Sequence, residues 1–198
     1  MNWIRRWFLE WLYRRQQVGQ CEGINLVEFQ HCEEFASSIV EAIKLVERTD
    51  PRRFARIKSR IKWIVNDRLF RAGGEYHHLT QACFVDFHRV CDWDPQWAVG
   101  WCAMLLVHEA THGLIHGRGV PYTRRLRSHV ERLCVKEEQR FVARLAKSQP
   151  ETANWLKCEF NEAHWAPSWN ATRTERLAWF WAQIAIEPGL KRTRKSRG

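Results

Sequence analysis

The chain has no C-x-x-C pair, no apolar run approaching the length of a membrane span, no internal repeat and, apart from its last residues, no low-complexity stretch. Its seven cysteines (Cys21, Cys32, Cys83, Cys91, Cys102, Cys134 and Cys158) are odd in number and never closely paired. That pattern argues against both a disulfide framework and a structural zinc cage. Without an apolar run of membrane length no transmembrane segment is expected, and the first residues lack the apolar core and small-residue cleavage site of a secretory signal. A reducing cytoplasm is the expected compartment.

What the chain has in excess is tryptophan and positive charge. Twelve tryptophans among 198 residues read first as large core fillers. A formal charge of +10 favours anionic partners, either nucleic acid or a membrane surface, and does not choose between them. The length suits one domain with a full core. We expect that domain over residues 21–188, preceded by an amphipathic helix within residues 1–20 and followed by a basic, solvated tail over 189–198.

The opening segment, MNWIRRWFLEWLYRR, places Trp3, Ile4, Trp7, Phe8, Trp11 and Leu12 on one helical face with Arg5 and Arg6 off it. Docking of that face on the protein's own core or on a partner is the first expectation, and a lipid interface the second. Phe35, Ile39, Ala42, Ile43 and Val46 recur at helical spacing, and Asp50-Pro51 supplies a cap and first-turn proline for a short basic helix. RIKWIVND and QACFVDFHRV alternate as strands, with a turn at Gly73-Gly74 between them. Asp94-Pro95 opens a helix running to Gly117, apolar almost all round as a buried central helix is. A second long helix is expected over residues 123–147, and further helix after Pro150.

The central helix carries HEATHGLIHG at residues 108–117. Residues four apart on a helix lie about 40° from each other around the axis, so His108 and His112 can offer nitrogens to one metal ion. Glu109 projects roughly 100° away, suited to reach a water on that metal as general base rather than to ligate it. The bland reading, histidines that merely share a core helix, requires each buried polar group to find its own partner.

With His108, Glu109 and His112 in this setting, the sequence resembles the zincin metallopeptidases. The resemblance implies an α+β fold: a small twisted sheet, a buried active-site helix, then a second long helix carrying a third zinc ligand. It covers about residues 60–145. The metzincin pattern fails, because Ile115 and Arg118 stand where it needs glycine and histidine. SprT-like proteases, which act on DNA-crosslinked proteins, would suit the charge but need a downstream histidine, and His129 in SHVERL is a poor match. The gluzincin pattern takes a glutamate from the following helix, which here is Glu131. Thermolysin-like gluzincins also have an aspartate where this chain has Val135, and Glu138 is the possible substitute.

Three residues compete as third ligand. His116 lies roughly 12 Å along the helix axis from His108, too far to share an ion. His129 falls on a basic face with Arg125, Arg132, Lys136 and Arg140, whereas Glu131 lies in the arc of Val130, Cys134, Val135 and Val142. The resemblance further implies an extended polypeptide substrate added to an edge strand, for which residues 81–90 are positioned. Tyr122, His116 and His164 are candidate transition-state donors, and His77-His78 reads as an exposed pair beside the Gly-Gly turn.

The function expected is therefore a zinc-dependent peptidase, with His108, His112 and Glu131 on Zn²⁺ and Glu109 as base. The alternatives are a non-enzymatic basic module binding nucleic acid or an acidic partner, a SprT-like DNA-associated protease, and a protease held at a membrane by residues 3–12.

Overall fold

The structure, a computed structural model, describes residues 2–156 and 159–179. The expected basic tail and the side chain of His164 lie outside the described residues. The chain divides into two compact units, one ending at Phe160 and the other beginning at Asn161. The amphipathic N-terminal helix belongs to the first. Of the second, helix α7 (Glu162–Trp169) is described, capped by Asn161, whose side chain accepts from the Ala163 backbone N–H at 3.0 Å.

The first unit is α+β. Helix α1 (Asn2–Arg15) leads into a hairpin of β1 (Gln17–Cys21) and β2 (Ile24–Glu28), then α2 (Glu34–Thr49) and α3 (Pro51–Arg60). Strands β3 (Trp63–Asn66), β4 (Gly74–His77) and β5 (Ala82–Val85) follow, then the long helices α4 (Pro95–Gly117) and α5 (Arg127–Leu145) and the short α6 (Pro150–Trp155). The five strands stand in the order β1-β2-β3-β5-β4. The central pairs β2–β3 and β3–β5 are parallel, and the outer pairs β1–β2 and β5–β4 are antiparallel.

Two strands expected from alternation are present but shorter, and both faces of the sheet are covered. Leu26, Ile64, Cys83 and Val85 join α2 and α4 in the main core, while Val27, Trp63, Val65 and Ala82 meet Tyr13 of α1 on the other side. This explains why all four residues of β3 are buried, where alternation suggested one wet face. It also revises the reading of α1. Its contact with the sheet is made by Tyr13 and Leu9, while Trp3, Ile4, Trp7, Phe8 and Trp11 face outward.

The expected substrate edge is corrected as well. Residues 81–90 contain β5, which is paired on both sides, and turn into a short 3₁₀ segment at Phe87–Arg89. The outer strand on that flank is β4. It was hidden by the glycine pair, since only pairing with β5 makes an extended strand of GEYH.

Helix α4 begins as its sequence signals. Asp94 accepts from the Gln96 N–H at 2.9 Å, and Pro95 occupies the first turn. It packs against α2, α3, α5, α6 and β4, which accounts for its apolar circumference. By length and composition α4 could cross a membrane, contrary to the reading of the sequence, but 67% of its most apolar window is buried inside this fold. Polar links fix its neighbours. Arg56 of α3 donates to Thr111 of α4 at 3.0 Å and pairs with Glu137 of α5 at 2.9 Å, and Arg53 meets Glu137 at 3.0 Å. Arg53 also pairs with buried Asp50, the N-cap of α3.

Candidate metal centre

The last third of α4 faces α5, and there the polar side chains meet. His108 is buried and His112 half-buried one turn later. Glu131 and Glu138 are buried on α5, seven residues apart and therefore on one face of it. His108 Nε2 lies 3.1 Å from His112 Nε2 and 3.1 Å from Glu131 Oε2, and His112 Nε2 is 3.5 Å from Glu131 Oε1. Donors held at 2.0–2.1 Å around a tetrahedral zinc ion are about 3.3 Å apart. The two imidazole nitrogens lie near that spacing, and Glu131 meets them through different oxygens, Oε2 toward His108 and Oε1 toward His112.

The tautomers explain why something cationic belongs there. His108 Nδ1 is 2.7 Å from Glu138 Oε1, a contact that requires the proton on Nδ1 and leaves Nε2 with a bare lone pair in the neutral ring. That lone pair faces a carboxylate oxygen and a second imidazole nitrogen. Either a proton or a metal ion must lie between them. Burial disfavours a charged His108, but Glu138 and Glu131 outweigh it and hold the imidazole well above its usual range. Burial likewise opposes ionisation of Glu131, yet its contacts with His108 and His112 hold it well below the usual carboxylate range. Among the described residues no arginine or lysine pairs with Glu131; its partners are the two histidines and the Tyr122 hydroxyl.

A metal ion can also be held by His108, His112 and Cys134, whose donor atoms all lie within 4.8 Å of one another. Cys134 sits one turn after Glu131 on α5, a position the sequence shows only as part of an apolar arc. Burial, reinforced by the nearby carboxylates of Glu131, Glu109 and Glu138, pushes the Cys134 thiol well up, so this sulfur stays protonated until a metal displaces the proton.

Glu109 is buried beside this group, and its Oε2 has no hydrogen-bond partner. Burial raises its pKa, only partly offset by His108 and His112. An orphaned carboxylate oxygen of raised basicity next to a ligand cluster is what a base awaiting a water requires. Strand β4 passes close overhead: a Cβ on Gly74 would come within 2.8 Å of Glu109 Oε1 and 2.5 Å of Leu105 Cδ1. A side chain at this position would have to push Leu105 or the Glu109 carboxylate aside.

Beyond α4 the chain reverses at Gly119, whose φ of +78° is left-handed, and the Gly119 N–H closes on the His116 carbonyl at 2.9 Å. The return brings Tyr122 to the cluster. Its hydroxyl donates to Glu131 Oε1 at 2.5 Å and its ring stands edge-on to His112, with centroids 5.6 Å apart. Of the other sequence candidates, His116 is exposed with its ring tilted against that of His78, centroids 4.6 Å apart, and His129 is exposed on α5. His77 contacts Thr80.

No known family model, curated protein or solved structure matches this chain.

Proposed function

We propose that the protein is a zinc-dependent peptidase of the gluzincin type within a zincin-like fold. One observation carries the reading: two imidazole nitrogens and a buried carboxylate converge at 3.1–3.5 Å beside the partnerless oxygen of Glu109. In this reading His108, His112 and Glu131 hold the ion, and Glu138 orients His108. Nitrogen and oxygen donors from two histidines and one glutamate suit zinc with an open fourth position. A bound zinc ion supplies Lewis acidity, polarising a peptide carbonyl and lowering the pKa of water in the open position to about 7.

The chain's own groups do the rest. Glu109 accepts the proton from the attacking water and returns it to the amine nitrogen as the peptide C–N bond breaks. Its raised pKa favours the first half of that transfer, uptake of the proton. An extended polypeptide adds to the outer side of β4, where no strand is paired among the described residues, so that its backbone runs past Gly74 and Glu109.

The test compares wild-type protein with Glu109→Gln for bound metal and for new protein N-termini in expressing cells. The expected result is one zinc per chain in both proteins and cleavage by the wild type alone, lower by orders of magnitude in the variant. Stoichiometric zinc with identical N-termini in the two cell populations removes the peptidase reading.

A further inference from the structure

The outward face of α1 is not explained by the metal centre. Trp3 is 72% exposed, Trp7 65%, Ile4 53% and Phe8 52%, and Trp11 continues the stripe. Helical spacing puts these five side chains roughly opposite Leu9 and Tyr13, the residues that anchor the helix to the sheet. So large an aromatic face is not a random sprinkling of surface residues. Cations continue it at its C-terminal end, where Arg14 and Arg15 follow the stripe and Arg15 lies 4.2 Å over the Trp11 ring; Arg5 and Arg6 lie off it, roughly 130° round the helix. The helix's one acid, Glu10, is turned toward the protein and engaged by Arg6 at 3.0 Å and Lys62 at 3.2 Å. The exposed face therefore carries no negative charge.

Charge decides the occupant. Four arginines and one glutamate give α1 a net +3, so a second copy would set one net-cationic helix against another. The chain's own basic end, KRTRKSRG, is repelled in the same way. Single-stranded nucleic acid needs a cationic groove alongside its stacking platforms, and a convex helix offers none. We infer that α1 docks on an anionic lipid surface, lying in the interface plane. Tryptophan and phenylalanine sink to the headgroup–acyl boundary, and the arginines stay level with the lipid phosphates. Attraction of the arginines to acidic headgroups weakens as salt rises. The inference is independent of the reading of the metal centre.

Co-sedimentation of the full chain with phosphatidylcholine vesicles, with and without phosphatidylserine, tests it. Binding to the phosphatidylserine vesicles, falling with salt, is expected. The combined substitution Trp3→Ser, Trp7→Ser, Phe8→Ser should weaken it at least about tenfold, with circular dichroism unchanged because these side chains touch no core. A second variant, Arg5→Gln, Arg14→Gln, Arg15→Gln, should lose the salt-dependent part of the binding while keeping the aromatic face. Absence of wild-type binding, or equal binding by the aromatic variant, overturns the inference. So does self-association or oligonucleotide binding that disappears in the aromatic variant while vesicles bind neither protein.

Discussion

His108 Nδ1 and Glu138 Oε1 lie 2.7 Å apart, joining α4 to α5 through a ring whose other nitrogen faces the ligand cluster. The carboxylate fixes the tautomer and makes Nε2 more basic. Glu138→Gln should therefore lower zinc affinity about 10–100-fold without unfolding the protein. Competition with a chromophoric chelator measures it. Unchanged affinity would mean Glu138 is only a core acceptor.

The choice between Glu131 and Cys134 as third donor has a spectroscopic answer. Glu131→Ala should release the metal, whereas Cys134→Ser should keep it within a few-fold. With cobalt in place of zinc, the wild type should lack the intense near-ultraviolet band of thiolate ligation. Retention of metal by Glu131→Ala together with that band assigns the site to sulfur.

Gly74→Ala tests whether β4 must ride close to Glu109. The new methyl meets Leu105 and the Glu109 carboxylate. Overpacking of this kind costs about 1–3 kcal/mol. Peptide hydrolysis should fall while zinc stays stoichiometric, because the ligands lie on α4 and α5. A variant with wild-type turnover and melting temperature would show that the strand has room to move.

Tyr13 is 2% exposed and ringed by Trp63, Phe29 and Phe84. Truncating a buried aromatic to alanine costs about 3–5 kcal/mol. Tyr13→Ala should lower the denaturant midpoint accordingly, yet zinc stoichiometry below the transition should not change. Loss of metal under native conditions would show that the two sheet faces are coupled.

Much of the centre could be read from residues alone, because helical spacing is a local rule. His108, Glu109 and His112 needed only one uninterrupted helix, and Asp94-Pro95 and the apolar body announced it. Glu131 came from the gluzincin resemblance and its place in the apolar arc of the next helix, and Glu138 only as a possible substitute under that resemblance; their distances to His108 depend on how α4 and α5 pack. Cys134 was invisible as a neighbour because a cysteine among valines looks like core. The strands were harder. In β1 (QVGQC) and β4 (GEYH) few side chains favour extension, and each is a strand because an adjacent strand satisfies its backbone. The aromatic face of α1 was found correctly as a stripe, but periodicity cannot say which way a stripe points. Tyr13 and Leu9, two residues outside it, supplied the contact with the sheet.

The sheet separates α1 from the helix that carries His108. Val27, Trp63 and Val65 look toward α1, and Leu26 and Ile64 look toward the main core. A chain resting on a surface through α1 would thus hold its ligand cluster on the side turned away from that surface, one strand layer removed. Substrate would then arrive from the surrounding solution, and attachment would limit where the protein works without narrowing the approach to Glu109.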